Sequence, residues 1–296
     1  MTVRIGTNPI AWSNDDLPEL GGDTPLEVCL SEAREAGYEG IELGNKFPRT
    51  PERLKPILAA HGLALVSGWY GSALLERGPD EEIAALQDHL DLLEAMGCDV
   101  MVFAETSNAV HGDRAVPLSR RPTLDDNGWA EFGRRLTVVG NYLQARGVAL
   151  AYHHPIGTVV ETGDEIDRLM AMTGDSVGLL VDTGHLAFAG ADPLAVVNRH
   201  RRRTVHVHCK DVRPDVAARA RQRDMSFLDA VVDGVFTVPG DGTVAFAPVL
   251  GALAEAGYAG WIVVEAEQDP KKAHPLTYAR MGYRHLSAVA TRAGLL

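Results

Sequence analysis

Two short stretches, AGYEG at residues 36–40 and AGYAG at residues 256–260, share one layout and decide the fold. In each stretch a Gly follows the last residue of a helical pattern, and a strand-like apolar run begins directly afterwards. Gly is the usual residue just past a helix because it adopts the left-handed backbone conformation without a steric penalty. We interpret both stretches as the junction of a helix with the next strand, in two copies of one repeating unit.

The same alternation runs along the whole chain. Eight short segments are predicted strands: 3–7, 40–43, 64–68, 100–104, 148–153, 177–181, 204–208 and 261–265. Segments with a 3.6-residue apolar period that end at a Gly are predicted helices: 25–36, 51–61, 81–96, 130–146 and 247–256. This pattern predicts an α/β fold, a single (β/α)8 TIM barrel over residues 1–296 with insertions at 108–127 and 213–238 over its C-terminal face. A doubly wound sheet is the alternative, but it would require a Gly-rich phosphate loop where residues 6–12 read GTNPIAW.

The composition excludes several classes of function. A net charge of −12 argues against a nucleic-acid partner, and the one basic run, at residues 199–203, is typical of a solvated helix end. The three cysteines Cys29, Cys98 and Cys209 are too few and too scattered for a disulfide framework or a zinc ribbon. Neither a signal peptide nor an apolar run of membrane-spanning length stands out, so we expect a cytoplasmic protein without a membrane partner.

One predicted strand ends on a carboxylate. The apolar run 177–181 leads directly into Asp182, with His185 three residues later. A carboxylate at the end of a core strand is costly to bury unless a helix N-terminus, a basic side chain or a metal pairs with it. Taken alone, Asp182 is most simply a helix N-cap.

The next two strands also end in polar residues. Because side chains alternate along a strand, His206, His208 and Lys210 share one face of the seventh strand, and Glu265 and Glu267 share one face of the eighth. The carboxyl ends of barrel strands meet at one face, where ligands bind. Carboxylate and imidazole ligands without thiolates suit Mn²⁺, Co²⁺, Fe²⁺ or Mg²⁺ better than structural zinc. We therefore predict a divalent metal site that includes the preceding aspartate.

At these residues the chain resembles the xylose-isomerase-like TIM barrels, and within them the inosose dehydratase family. The resemblance covers nearly the whole chain in order. Its motifs are NPIAWSNDDLPELG (8–21), HHPIGTVVETGDEIDRLM (153–170), VDTGHLAFAG (181–190), HVHCKDVR (206–213), FTVPGDG (236–242) and GWIVVEAEQDP (260–270). The resemblance implies that Asp182, His208 and Glu265 are metal ligands, with His153 at the position of a fourth ligand that is usually a glutamate. Asn45 likewise stands where a His is common.

The resemblance also implies an activity. It is the metal-dependent dehydration of 2-keto-myo-inositol (inosose) to a trihydroxycyclohexane-dione in inositol catabolism, by enolate formation and loss of the β-hydroxyl. Mn²⁺ or Co²⁺ is the expected cofactor, with Fe²⁺, Mg²⁺ or Zn²⁺ as alternatives. The expected partner is a small cyclic polyol ketone, and the family's frequent dimers and tetramers make a homo-oligomer compatible with this interpretation.

Roles for individual side chains follow from their places at the strand ends. Proton transfer is predicted for His185, Glu265 or His154, and Lys210 is a candidate to hold an oxyanion or the leaving hydroxyl. The predicted substrate contacts, which follow the ends of other strands, are Asn8, Trp12, Glu42, Lys46, Trp69, Glu105 and Glu267.

Three other functions stay open at this point. A keto-sugar or inosose isomerase or epimerase would use the same metal site, but with carboxylates on both strands five and eight, where His153 instead favours elimination. A metal-dependent endonuclease would need more His ligands and a basic groove, which the net charge of −12 opposes. A non-catalytic sugar-binding module would bind its ligand without turnover.

Overall fold

A closed barrel of parallel strands forms the centre of the computed structural model, which describes residues 3–296. Each barrel strand pairs with the next one along the chain, and the last pairs with the first. Among the described residues the eight barrel strands are β1 (Arg4–Thr7), β2 (Gly40–Leu43), β3 (Ala64–Ser72), β4 (Val100–Glu105), β5 (Ala149–Tyr152), β6 (Val177–Asp182), β7 (Thr204–Cys209) and β10 (Trp261–Val264). The predicted (β/α)8 TIM barrel is confirmed. Residues 1 and 2 of the predicted 1–296 domain lie outside the described range.

Helices surround the barrel and connect its strands. They are α1 (Leu26–Ala36), α2 (Pro51–His61), α3 (Pro79–Ala85), α4 (Gln87–Ala95), α5 (Asp126–Ala145), α6 (Gly163–Met172), α7 (Thr183–Phe188), α8 (Pro193–His200), α9 (Pro214–Gln222), α10 (Phe227–Val232), α11 (Phe246–Glu255) and α12 (Pro275–Arg292). The predicted Gly stops hold, as at Gly37 (φ 113°) after α1 and Gly62 (φ 64°) after α2. Within the described residues no helix is both long and apolar enough to cross a bilayer.

The floor of the barrel is apolar. Trp261, the first residue of β10, packs there with Val66 and Val263, and the Arg4 guanidinium lies 4.1 Å from the centre of the indole ring. A Cβ built on Gly40 would lie 2.6 Å from that indole, so the Gly at the end of AGYEG is required by this close approach. With the floor filled by apolar side chains, the polar strand ends converge at the opposite, C-terminal face.

Three details differ from the sequence-based prediction. Strand β3 continues past residue 68 to Ser72, paired with β4, so Trp69 lies within the strand and not after it. The predicted helix 81–96 is divided into α3 and α4 at Leu86. Hydrogen bonds still continue across the junction, because the Leu86 amide donates to the Glu82 carbonyl and the Leu90 amide donates to the Leu86 carbonyl. A short antiparallel pair, β8 (Asp211–Val212) with β9 (Phe236–Thr237), was not predicted because two-residue strands carry no periodicity.

Candidate active site

Four buried side chains meet at the C-terminal ends of consecutive barrel strands. Asp182 ends β6, His208 lies near the end of β7, and His153 and Glu265 directly follow β5 and β10. One ligand atom from each of the four lies within 4.8 Å of the others. The Nδ1 atom of His208 lies 2.8 Å from Oε2 of Glu265 and 3.5 Å from Oδ2 of Asp182, and Nε2 of His153 lies 3.3 Å from that same Oδ2. We refer to these residues as the ligand quartet.

Glu42, on β2, orients His208, one of the two histidines of the quartet. Its Oε1 accepts hydrogen bonds from Nε2 of His208 (3.2 Å) and of His206 (2.9 Å), and Asn8 Nδ2 donates to its Oε2 (2.7 Å). The other nitrogen of His208, Nδ1, is buried, faces the carboxylates of Glu265 and Asp182 and forms no hydrogen bond of good geometry among the described residues, so a bound cation would take the place of its proton. An imidazole held by a carboxylate through one nitrogen, with its other nitrogen free, is typical of a metal ligand.

Asp182 divides its two oxygens between two tasks. Its Oδ1 caps helix α7 by accepting from the backbone amides of Gly184 (2.9 Å) and His185 (2.8 Å). Its Oδ2 faces the two imidazoles of the quartet. Burial alone would raise the pKa of Asp182. Lys210 and His185 outweigh this effect, and the net pKa lies well below the ordinary value. The N-cap and the ligand interpretations of this residue are therefore compatible.

The electrostatics of the quartet make it a cation site. Burial raises the pKa of Glu265, but His208 and Lys210 lower it to about 2, so this carboxylate is ionised. Burial lowers the pKa of His153 to about 4, and this imidazole is neutral at neutral pH. Burial also lowers the pKa of His208, yet Glu265 and Glu42 outweigh it and hold the pKa well above the ordinary value. The site thus favours a positive charge at its centre.

Lys210 lies fully buried behind the quartet. Its ammonium is 2.8 Å from Oε1 of Glu265, 2.7 Å from Oε2 of Glu267 and 3.5 Å from Oδ2 of Asp182. Burial lowers the pKa of Lys210, but the three carboxylates raise it above its usual range, so the side chain is a permanent cation. It does not line the open cavity, and its predicted contact with an oxyanion or a leaving hydroxyl stays a prediction.

A cavity of about 300 Å³ opens above the quartet, toward the C-terminal face. Its predicted lining residues are Asn8, Glu42, Trp69, His153, His185, His208, Glu265 and Glu267. Trp69 stands at its mouth with 42% of its surface exposed, edge-on to His153 at 5.4 Å between ring centres. Polar side chains at the base of the cavity and an aromatic side chain at its mouth suit a small ring that carries several hydroxyl groups.

His185 is held by its neighbours in one orientation. The backbone N–H of Ile156 donates to its Nδ1 (3.0 Å), and its Nε2 lies 3.6 Å from Oε1 of Glu267. The ring stacks on Phe227, with centres 5.8 Å apart. Since Nδ1 accepts a hydrogen bond, the neutral ring carries its proton on Nε2, and this nitrogen is a donor toward the cavity. The geometry thus makes His185 a hydrogen-bond donor, and its predicted part in proton transfer stays a prediction.

Comparison with known proteins places this site in a family. The model of the xylose isomerase-like TIM barrel family matches residues 30–289. The chain belongs to the xylose isomerase-like TIM barrel family. It is 54% identical over 294 residues to the rhizopine catabolism protein MocC of Rhizobium meliloti, covering 99% of this chain and 90% of the relative. It is 46% identical to an inosose dehydratase of Geobacillus thermodenitrificans, covering 94% of each chain.

Solved structures share the fold of this xylose isomerase-like barrel. One is the IOLI protein, solved with a zinc atom, which superposes with a TM-score of 0.66 at 15% identity and covers 98% of both chains. At this identity the likeness extends to the fold alone. It places the two barrels in the same architecture, with the quartet of this chain at its C-terminal face.

Two residues predicted to contact substrate lie away from the cavity of this barrel. Trp12 is 1% exposed in the apolar core, where its Nε1–H donates to Oε2 of Glu32 at 2.7 Å. The Lys46 ammonium donates to the carbonyl oxygens of Gly21 (3.4 Å) and Thr24. Both follow a strand, as predicted, but the Trp12 side chain donates to a residue of α1 and the Lys46 side chain donates to carbonyls of the loop before α1. Neither side chain lines this cavity, and the predicted substrate contacts of Trp12 and Lys46 stay predictions.

Glu105 and His154 also serve the backbone and do not line the cavity. The Glu105 carboxylate accepts from Ser72 Oγ (2.6 Å) and from the amides of Leu74 (2.7 Å) and Ser107 (2.9 Å), which ties β3 to β4. His154 is fully buried and its Nε2 accepts from the Asp182 amide at 3.3 Å. The substrate contact of Glu105 and the proton transfer by His154 therefore stay predictions, with neither side chain among those that line the cavity.

The structure adds residues to the cavity that the sequence did not single out. They are Asp15, Asp16, Arg49, His111 and Phe227, among others, and Asn45, noted above only as standing where a His is common, lines it too. His111 comes from the predicted insertion 108–127 and Phe227 from 213–238, so both insertions do border the cavity. His111 is the only histidine in its insertion, which was the one available signal in the sequence. Its Nδ1 is buried without a hydrogen-bond partner among the described residues.

Proposed function

We propose that the protein is a metal-dependent hydro-lyase, an inosose dehydratase that removes water from 2-keto-myo-inositol and yields a trihydroxycyclohexane-dione. The observation that carries the proposal is the ligand quartet at the floor of a cavity with a polar base and an aromatic wall. The relative at 46% identity over 94% of each chain bears the name inosose dehydratase and supports the substrate. A soluble cytoplasmic enzyme of inositol catabolism is the corresponding setting.

The cofactor of this proposal is one divalent cation held by His153, Asp182, His208 and Glu265. The site fits such an ion because the buried Nδ1 of His208 faces two carboxylates without a hydrogen bond of good geometry to either, and a cation bound there would replace the Nδ1 proton. When bound, a divalent cation supplies Lewis-acid polarisation of a ketone oxygen, which acidifies the neighbouring C–H. Two carboxylates with two imidazoles and no thiolate favour Mn²⁺ or Co²⁺, and the zinc in the IOLI structure keeps Zn²⁺ among the candidates.

The chain's own residues orient the substrate. Trp69 offers an aromatic face to the C–H face of a polyol ring at the cavity mouth. His185 donates from Nε2 toward a substrate oxygen, a role fixed by the Ile156 amide on its other nitrogen. Asn8 lines the cavity, and its side-chain amide donates to Glu42.

Elimination needs one group that accepts a proton from carbon and another that gives a proton to the departing hydroxyl. The carboxylates that line the cavity close to the quartet are Glu265 and Glu267. Burial raises the pKa of Glu267, but Lys210 and His185 lower it below the ordinary value, so Glu267 is ionised and able to accept a proton. On the wall built by the insertion lies His111; burial lowers its pKa, so its ring is neutral and can hydrogen-bond to the hydroxyl as it leaves as water.

The direct experiment is turnover of 2-keto-myo-inositol by Mn²⁺- or Co²⁺-loaded protein, followed by the ultraviolet absorbance of the dione enol and by the mass of the product. The informative variant is Asp182→Asn, which removes the charge of a ligand and should abolish both metal binding and turnover. The matched control is Asp192→Asn, because Asp192 is an exposed N-cap of α8 with no part in the cavity. That control should leave stability nearly unchanged, because Asn caps a helix about as well as Asp does.

The assay separates the alternatives. A product of unchanged mass with altered stereochemistry would identify an isomerase or epimerase on the same site. Tight binding without any product would identify a binding module. Full turnover by Asp182→Asn in the rigorous absence of metal would refute the proposal.

A further inference from the structure

A second group of potential ligands lies beside the quartet. One atom each from His185, Glu265 and Glu267 lies within 4.8 Å of the others, and all three side chains are buried. This group shares Glu265 with the quartet. Two adjacent ligand groups that share a carboxylate are the layout of a two-metal site. The question is what occupies the second position.

The Lys210 ammonium contacts the oxygens that a second ion would need. It lies 2.8 Å from Glu265 Oε1 and 2.7 Å from Glu267 Oε2, and it sits 4.7 Å from the ring centre of Phe236. The fold makes room for the lysine stem at Gly184, since a Cβ there would lie 2.4 Å from Lys210 Cγ. The position of the ammonium is thus built into the packing and is not one of several positions of a mobile side chain.

The remaining member of the group has the wrong polarity for a ligand. A metal-bound imidazole nitrogen must offer a lone pair, but the Ile156 amide donates to Nδ1 of His185 and leaves the proton on Nε2. That N–H faces Glu267 Oε1 at 3.6 Å. A second ion would therefore be held by Asp182, Glu265 and Glu267, the three carboxylates that contact the Lys210 ammonium, and not by His185.

The charges agree with a single ion. Asp182, Glu265 and Glu267 are the three carboxylates within 3.5 Å of the Lys210 ammonium. The ammonium offsets one negative charge and one divalent ion offsets the other two. We propose that the Lys210 ammonium takes the place of a second divalent cation, so that the centre holds one metal ion per chain. This inference rests on the metal centre of the proposed function.

The test is the number of metal ions bound per chain. Wild type and Lys210→Met are equilibrated with excess Mn²⁺, freed of loosely held ions by gel filtration, and analysed for metal; coupled Mn²⁺ pairs are detected by electron paramagnetic resonance. Met keeps the length of the stem and removes the charge. Lys55→Met is the matched control, because Lys55 is exposed on α2. We expect one ion for wild type and the control, and two ions with a coupled spectrum for Lys210→Met.

Each outcome decides between the two proposals. No ion in wild type would refute the metal centre itself, and two ions in wild type would overturn only the role of Lys210. One ion or none in a natively folded Lys210→Met protein would also overturn that role. Should Lys210→Met unfold without metal, the proposal requires excess Mn²⁺ to restore the native circular dichroism with two ions bound, and failure to restore it counts against the proposal.

Discussion

The Glu42 carboxylate lies 3.2 Å from Nε2 of His208, the ring nitrogen that faces away from the ligand quartet. Glu42 sits on β2 and His208 on β7, so a contact across the barrel fixes the orientation of one ligand. Glu42 was predicted to bind substrate. The alternative prediction was that it orients an imidazole of the metal site, and its three N–H donors, from Asn8, His206 and His208, favour that positioning role; its substrate contact stays a prediction.

Replacing Glu42 with Gln should weaken metal binding. The amide keeps the size of the side chain but loses the charge that holds the imidazole, and such changes typically cost about 10- to 100-fold in metal affinity. Calorimetric or fluorescence titration with Mn²⁺ measures the effect. Glu39→Gln is the control, because Glu39 is half exposed and pairs with Arg4. Equal affinity in both variants would contradict the positioning role.

Gly184→Ala should destabilise the fold. The new methyl group would fall 2.4 Å from Lys210 Cγ and 2.7 Å from its Cβ, in a fully buried site. Overpacking of this kind costs roughly 1–3 kcal/mol. Gly251→Ala is matched to it, since Gly251 lies within helix α11 and a Cβ there meets nothing within 4 Å. Urea unfolding should show lower stability for the first variant and a gain of about 0.5–1 kcal/mol for the second. A neutral Gly184→Ala would show that the lysine stem can move aside.

Asp211→Asn should loosen the loop after β9. The two oxygens of Asp211 accept four backbone N–H groups, from Val212 (2.9 Å), Val244 (2.8 Å), Gly240 (3.0 Å) and Gly242 (3.0 Å). An amide nitrogen cannot accept, so two of these donors lose their partner at a cost of about 1–3 kcal/mol.

Hydrogen exchange at Gly240 and Gly242 measures this effect, with Asp23→Asn on the exposed surface as the control for Asp211→Asn. Faster exchange only in Asp211→Asn is the expected result. Unchanged exchange at both glycines would show that the loop does not depend on this carboxylate.

Substitutions of Trp69 and Trp12 should have opposite effects on substrate binding and on stability. Trp69→Ala removes a side chain that is 42% exposed at the cavity mouth, so KM should rise about 10-fold while the melting temperature hardly changes. Trp12→Phe removes a buried indole and its bond to Glu32, so the protein should lose about 1–3 kcal/mol of stability with KM unchanged. Steady-state kinetics and thermal unfolding of both variants check the pair. An effect of Trp12→Phe on KM alone would restore its predicted contact with substrate.

Topology explains what the sequence could predict. Once eight strand–helix units are recognised, the carboxyl ends of the strands must meet at one face, and Asp182, His208 and Glu265 come together whatever the loops do. Whether a side chain after a strand turns inward is set by tertiary packing, and for that reason the sequence could not show that Trp12 and Lys46 lie outside the cavity lining. His111 arrives from a long insertion whose path no periodicity encodes. The assignment of residues 1–296 to one domain and the oligomeric state stay predictions.

The shared use of Asp182 has a consequence for assembly of the site. Because Oδ1 is tied to two amides of α7, the direction of Oδ2 is set as soon as the β6–α7 turn is formed. Rotational freedom of this ligand is therefore lost during folding, and little ordering remains for the moment when an ion arrives. Folding precedes loading in this arrangement, and the ion-free chain should be a preorganised receptor from which the cation can leave and to which it can return.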